Sequence, residues 1–330
     1  MTQYGTGENS YLDDVRLSEG AEQCRTVFGE LCEKDIRQAA GQLNDPRLTF
    51  GTLYMLSPGI TQFHLERYMS PRNAAALRLV RAAGRPEGIG TGETARTAMK
   101  WMLNTGRADD GMSSEYEEAM DIAASVLINT YKDADALPAA VDMIFNRSRI
   151  KHNIHSLVWA IFQSQNPEAL KLIAKRLRSP DERDARLACS LLGIEAEDSS
   201  DESIRGQYEA YLQWLEDNDP FLYFTGESFQ YASRPAFYSI DFERRYLHRG
   251  TPRYDHQPVS PAGEEEQAAL AAFKPLSRED QALLSGHSQR LHKSNPAEWK
   301  AWVQQPIEEQ IRSAKLSRGS HHDYGFGKFV

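Results

Sequence analysis

The sequence predicts an all-α protein, and three observations carry that reading. Apolar residues recur at three- and four-residue steps through most of the 330 residues, which is the stripe of amphipathic helices. No set of segments alternates apolar and polar residues as a strand framework does. Two consecutive stretches, 137–165 and 167–195, each read as a helix, a short polar break and a second helix. The one candidate for extended structure is a ring-rich run between Phe221 and Tyr246.

The helices follow in order along the chain. Cys24, Val27, Phe28, Leu31, Cys32, Ile36, Ala39 and Leu43 form one apolar stripe, read as one helix. Ser70 is the expected N-cap of the next clear helix, with Pro71 at its first position and a stop at Gly84. A further helix spans 113–133, with acidic residues in its first turns, where the helix dipole favours them. In the paired stretches, Leu170, Ile173 and Leu177 make one stripe, and Ala185, Ala188, Leu191 and Leu192 make the next. The apolar positions of the two stretches match at an offset of about 30 residues. A helix pair of this size cannot bury both apolar faces alone, so it stacks on neighbours.

The stretch "ALKLIAKRLRSPDERDARLACSLLG" resembles a HEAT-like repeat through Pro180, Asp181, Ala185, Arg186, Ala188, Leu192 and Gly193. Its predecessor matches by apolar pattern, with Ser148 and His155 in place of the Pro-Asp turn. The resemblance covers about a quarter of the chain. It implies an α-α superhelix in which Asp181 caps the second helix and Arg186 ties adjacent repeats together. It also implies a protein-interaction or scaffolding role. Some HEAT-like proteins bind DNA, including a family of alkylpurine DNA glycosylases, so a nucleic-acid-binding or glycosylase role stays open as the alternative.

After an acidic break, a helix is expected over 204–218, followed by the ring-rich run, a Pro- and Gly-rich loop and C-terminal helices interrupted at Pro306. The expected division is an N-terminal helical region (1–112), the repeat array (113–218), and a ring-rich cap with C-terminal helices (219–330).

Composition narrows the classes of function. A hydrophobic content of 40% and a charged content of 26% are those of an ordinary globular chain. The net charge of −9 disfavours bulk attraction to nucleic acid or to an anionic membrane. No apolar run reaches the roughly 20 residues of a membrane span, and the N-terminus does not read as a secretory signal. Cys24, Cys32 and Cys189 suit a reducing compartment, read here as the cytoplasm, and are expected to be buried structural thiols.

Catalytic motifs are absent from this reading, and neither a cofactor nor a metal is expected. The glycine-rich stretch 84–94 carries Glu93 where a phosphate loop needs positive charge, so it reads as a linker. His152 and His155 are read as sharing a helix with no carboxylate at a companion spacing, and His321 to Asp323 as polar tail. Residues 145–190 hold nine Lys or Arg against four acids, between two acidic segments. Lys171, Lys175 and Arg178 form a stripe there, either a solvated face or a ridge for an anionic partner.

Nine of the 26 residues from Phe221 to Tyr246 are Phe or Tyr, against 10% aromatic residues overall. Their spacing follows no single period, which suits loops and turns. One reading makes the run a cap on the end of the array, with Phe224 and Phe229 largely buried. The other makes it a pocket in which Phe221, Tyr223 and Phe224 supply rings, and Glu227 and Arg234 supply polar anchors.

Overall fold

A computed structural model describes residues 9–82, 92–194, 201–232, 235–250 and 263–318, with backbone alone at 201–205 and 318. These residues are helical almost throughout, as the apolar periodicity requires. The chain forms two compact units, Met1–Ser164 and Gln165–Val330, divided within the segment 113–218.

The first unit contains α1 (Tyr11–Glu19), α2 (Ala21–Lys34), α3 (Ile36–Leu43), α4 (Phe50–Met55), α5 (Ser57–Gln62) and α6 (Pro71–Arg81). It continues with α7 (Glu93–Gly106), α8 (Ser114–Ser125), α9 (Leu137–Arg149) and α10 (His155–Gln163). The stripe from Cys24 to Leu43 is broken into two helices. Asp35 adopts extended backbone and its carboxylate accepts from the amides of Arg37 and Gln38, so it ends α2 and starts α3. Ser70 caps α6 and Pro71 opens it, as expected. That helix ends at Arg81, and Gly84 lies outside the described residues.

Helix α8 runs into a π turn at Val126–Thr130. There Asn129 Nδ2 donates to Ala160 O at 3.1 Å, tying the turn to α10. The fully buried Asp13 fastens α1 to α4 by accepting from Ser10 Oγ, Thr49 N, Thr49 Oγ1 and Thr52 Oγ1. Four donors satisfy the carboxylate, which is what a buried charge requires.

The second unit begins with α11 (Pro167–Ala174), α12 (Glu182–Leu192) and α13 (Asp201–Asn218). The helix–break–helix pattern is present in both expected places, as α9–α10 and α11–α12. Asp181 caps α12 by accepting from Arg183 N at 3.0 Å. Gly193 closes it with φ of 64°, a left-handed position that favours glycine. Arg186 departs from the role the resemblance implied. It is exposed and pairs with Glu182 of its own helix at 2.6 Å, the i,i+4 partner. Asp181→Ala is therefore expected to cost about 1 kcal/mol through the lost cap, read as a lower urea midpoint, while Arg186→Ala should change the unfolding free energy by no more than about 0.5 kcal/mol.

The ring-rich run supplies the extended structure. Strands β1 (Leu222–Phe224) and β2 (Tyr238–Ile240) pair antiparallel, with Leu222 opposite Ile240 and Phe224 opposite Tyr238. The chain then forms α14 (Phe242–Tyr246), α15 (Glu264–Phe273), α16 (Arg278–Ser294), α17 (Pro296–Val303) and α18 (Ile307–Arg318). The break at Pro306 separates two helices rather than kinking one.

Burial divides the rings differently from the expectation. Phe221, Phe237, Tyr238 and Tyr246 are buried, whereas Phe224 and Phe229 are half-buried and Tyr231 is 86% exposed. The three-residue strands leave the hairpin rings one sheltered side, while Tyr246 on α14 enters a closed core. That core joins Tyr246, Phe273, Leu284, Trp299 and Trp302 from four helices.

Candidate functional site

The two ends of the ring-rich run meet at a cleft of about 810 Å³ in the second unit. Asp219, Pro220 and Phe221 line it from the start of the run, and His248 and Gly250 from just beyond its end. Glu216 and Asp217 come from the last turn of α13, and Gln289, His292 and Lys293 from α16. The volume falls within the ~300–1,000 Å³ common for ligand sites.

Local backbone explains why these residues converge. Tyr246 is stacked on Phe273, with ring centres 4.2 Å apart, and fixes α14 in the core. Its carbonyl accepts from Ser288 Oγ at 2.5 Å, and Trp299 Nε1 donates to that same hydroxyl at 2.7 Å. The chain therefore leaves α14 beside α16 and α17, and turns sharply at His248, whose φ is 53°. A non-glycine residue in this region is strained unless its surroundings hold it there. Two residues later Gly250 passes close to the start of the run. A Cβ on Gly250 would lie 2.5 Å from Pro220 Cβ and 3.2 Å from Pro220 O, so only glycine fits without movement.

The turn at His248 places its imidazole face to face with that of His292, with ring centres 3.5 Å apart and planes at 23°. Phe221 packs on one side, 5.5 Å from His248, and Trp299 meets His292 edge-on at 4.9 Å. The result is a row of four rings contributed by four separate segments. Burial lowers the pKa of both imidazoles, and for His248 the neighbouring His292 adds to the effect. His248 Nδ1 is also buried without a hydrogen-bond partner. Two stacked imidazolium ions would repel, so the pair is held neutral at pH 7. Around the rings stand three carboxylates, Glu216, Asp217 and Asp219, and one ammonium, Lys293. Lys293 Nζ is bound to Asp217 Oδ1 at 2.8 Å, so the described residues that line the cleft carry net negative charge.

A second cluster lies in the first unit. Arg147 on α9 is 1% exposed. It donates to both oxygens of Asp110 at 2.8 and 2.9 Å and pairs with Asp121 of α8 at 2.7 Å. It also donates to the carbonyls of Glu117 and Asn153. One guanidinium faces two buried carboxylates. Burial raises the Asp121 pKa to about 7 despite the opposing pull of Arg147, and raises that of Asp110 as well. The donors are all spent on neighbouring chain segments, which makes this a structural clamp.

Opposite pH dependences follow for the two units. The folded pKa of Asp121 lies above its ordinary 3.8. The stability it contributes is thus full below that value and is lost as pH rises through about 7. His248, His287 and His292 have folded values below the ordinary 6.5, and burial is the leading cause for each. Their contribution is full above 6.5 and is lost as pH falls through the lowered values. Between about pH 8 and pH 5, hydrogen exchange expressed as opening free energy should show α8 and α9 gaining stability while α16 and α17 lose it. Parallel changes in both regions would contradict the assignment.

The residues singled out from sequence fall in three places. Phe221 lines the cleft. Tyr223, Phe224 and Glu227 belong to the hairpin instead: Glu227 Oε2 accepts from Ala236 N at 2.8 Å, closing the loop rather than anchoring a ligand. Arg234 lies outside the described residues, as do His321 to Asp323 and 84–91 of the glycine-rich stretch. Lys171, Lys175 and Arg178 are exposed. Residues 175–178 wind as a 3₁₀ turn, whose three-residue repeat keeps Lys175 and Arg178 on one side. Lys171 pairs with Glu168 at 3.7 Å, and the Arg178 guanidinium lies 5.2 Å from the Tyr208 ring centre. His152 sits in the loop before α10, not on the helix with His155, and its Nδ1 meets Glu117. That carboxylate is 35 residues away in sequence, beyond any helical spacing.

His248 and His292 were not singled out from sequence. Forty-four positions separate them, and no motif links a left-handed turn after one helix to the face of another. No group of His, Cys, Asp and Glu among the described residues has the arrangement to hold a metal ion. No described helix is long and apolar enough to cross a membrane. No protein-family model, curated protein or solved structure matches the chain.

Proposed function

We propose that this chain is a binding module, a helical scaffold of the cytoplasm that recognises a protein partner through the acidic, ring-lined cleft of its second unit. The observation that carries this reading is the His248–His292 stack at the mouth of a cleft. A left-handed, non-glycine turn and a buried imidazole nitrogen without a hydrogen bond both cost stability. Such costs concentrate at sites that bind. The helix pair α11–α12, with the Asp181 cap and the Gly193 stop, supports a HEAT-like repeat within the second unit.

Charge argues against the nucleic-acid alternative. Along the basic stripe and the start of α12, Lys171, Arg183 and Arg186 are each bound to a nearby acid, and Arg178 lies over a ring. A phosphate backbone would have to displace those partners. The cleft that brings rings and carboxylates together is acidic, which repels phosphate.

A photo-crosslinking residue at Gln289, inside the cleft, tests the proposal against one at Arg183 on the basic side. A partner captured in host extract at position 289, and lost when Glu216→Lys is added, supports the cleft. Capture at 183 alone, or capture at 289 that ignores the charge reversal, sinks it.

A further inference from the structure

We infer that the His248–His292 stack is a pH-operated latch on the cleft, closed while both rings are neutral and opened when they take up protons. This rests on the reading of the cleft as the recognition site and adds its regulation. The stack joins two walls of that cleft. His248 stands with Gly250 on the turn that follows α14, and His292 stands with Gln289 and Lys293 on α16. The ring faces are covered from within: the two imidazoles lie 3.5 Å apart between centres, Phe221 packs on His248, and Trp299 meets His292 edge-on. Their contact therefore pins the walls together rather than offering a surface to a ligand. It also helps to hold His248 at a φ of 53°, a conformation that a non-glycine residue keeps only while its surroundings impose it.

A proton shifts such an equilibrium only by binding one arrangement better than the other. Among the described residues, the charged groups around the stack are Glu216 and Asp217 from α13, Asp219 from the turn before β1, and Lys293 from α16, which is bound to Asp217 at 2.8 Å. Arg249, next to His248 in the chain, pairs with Glu266 of α15, and Arg245 of α14 donates to Asn218. Helix α17 brings the uncharged ring of Trp299. The carboxylates favour a charged imidazole whether the rings are stacked or apart. Two features oppose the charge in the closed stack alone. A second imidazolium would face the first across 3.5 Å. His248 Nδ1 is buried without a hydrogen-bond partner, whereas an imidazolium donates through both nitrogens. Parting the rings relieves both. The lowered pKa of each ring has the matching sign: the closed form is fully favoured above the ordinary 6.5 and loses its advantage as pH falls through the lowered values. His287 shifts in the same direction but packs on Trp302, with Arg290 and Glu298 as its charged neighbours, so it belongs to the core and not to the latch.

The test uses the full chain, with histidine-ring NMR and backbone hydrogen exchange of 247–250, corrected for its intrinsic pH dependence, from about pH 7.5 to about pH 5. Both ring signals should titrate together, below the ordinary 6.5. The open fraction of 247–250 should rise by up to about tenfold per pH unit for each proton taken up. His292→Phe keeps a flat ring against His248 but cannot be protonated, so the logarithmic rise should fall by about half. If that variant folds poorly, His292→Gln serves instead: it removes the ring, and 247–250 should already be open at neutral pH. His287→Gln should leave the pH dependence of 247–250 as in the parent. Photo-crosslinking from position 289 in host extract should capture less partner at the acid end of the range, and the difference should shrink in His292→Phe. Titration of the two rings without a rise in exchange, or the same rise in His292→Phe as in the parent, would overturn the latch. A rise in exchange with equal capture at both ends of the range would overturn its control of the cleft and leave the cleft as the recognition site. Absence of capture at 289 at any pH would remove the recognition site, and the ring titration and exchange would still decide whether the stack opens.

Discussion

Arg147→Met is expected to remove about 3–5 kcal/mol of stability at neutral pH, the usual cost of breaking a buried ion pair by deleting one partner. That is a large part of the roughly 5–15 kcal/mol that holds a typical domain together. The substitution keeps most of the aliphatic volume but leaves Asp110 and Asp121 facing one another without a counter-charge. It also removes the guanidinium donors to the carbonyls of Glu117 and Asn153. Because Asp121 already takes its proton near pH 7, acid should relieve the repulsion. The loss measured by urea unfolding should therefore shrink toward about pH 5. Adding Asp121→Asn should restore part of the stability at neutral pH. A variant as stable as the parent, or a loss that does not change with pH, would show that the clamp does not organise α8 and α9.

Tyr246→Ala should cost about 3–5 kcal/mol, the range for truncating a large buried ring. The ring is 0% exposed, stacked on Phe273 and edge-on to Trp302 at 6.1 Å. Its hydroxyl donates to Gln310 Oε1 at 2.9 Å, and Gln310 in turn donates to the carbonyls of Val303 and Gln305. Truncation thus opens a cavity and leaves a buried amide oxygen without its donor. Phe224→Ala removes a half-buried hairpin ring and should cost less than half as much, since the transfer term scales with area withdrawn from water. Equal losses for the two variants would place the hairpin rings in the core after all. Tyr246→Ala should also loosen the turn at His248, two residues on, so its binding loss should exceed that of Phe224→Ala.

The helical architecture was legible because it is written in local terms. Ser70 and Pro71 mark a helix start wherever they fall, and the Asp181 and Gly193 caps bracket a helix within thirteen residues. Asp35 shows the limit of the same logic. An apolar stripe continues across it from Cys32 to Ile36, and only the carboxylate's hydrogen bonds to Arg37 and Gln38 reveal the break. The ring-rich run was legible as irregular and partly extended, since no single period fits its rings. The division of labour inside it was not. Whether Phe221, Phe224 or Tyr246 is buried depends on which helices arrive from 264–318, and those contacts leave no trace in the local pattern.

The cleft itself was the least legible part. Its rings come from Phe221, His248 and His292, backed by Trp299 of the core, and its charges from 216–219 and 293. Each residue is ordinary in its own segment. What brings them together is the buried anchoring of Tyr246 to Ser288 and Phe273, followed by a turn with positive φ. The basic stripe was conspicuous in sequence because like charges cluster there. The pairing of Lys171 with Glu168 and the packing of Arg178 over the Tyr208 ring depend on side-chain geometry.

The measurement that reaches the central claim most directly is NMR of the full chain labelled at its histidine rings and at its Lys and Arg side chains, titrated with the partner captured at position 289. The expected result is that the His248 and His292 ring signals move together, saturate, and revert when unlabelled protein competes for the partner. Lys171, Lys175 and Arg178 should stay where they are. Shifts confined to those three residues, with both imidazoles unmoved, would place recognition on the basic stripe and contradict the account.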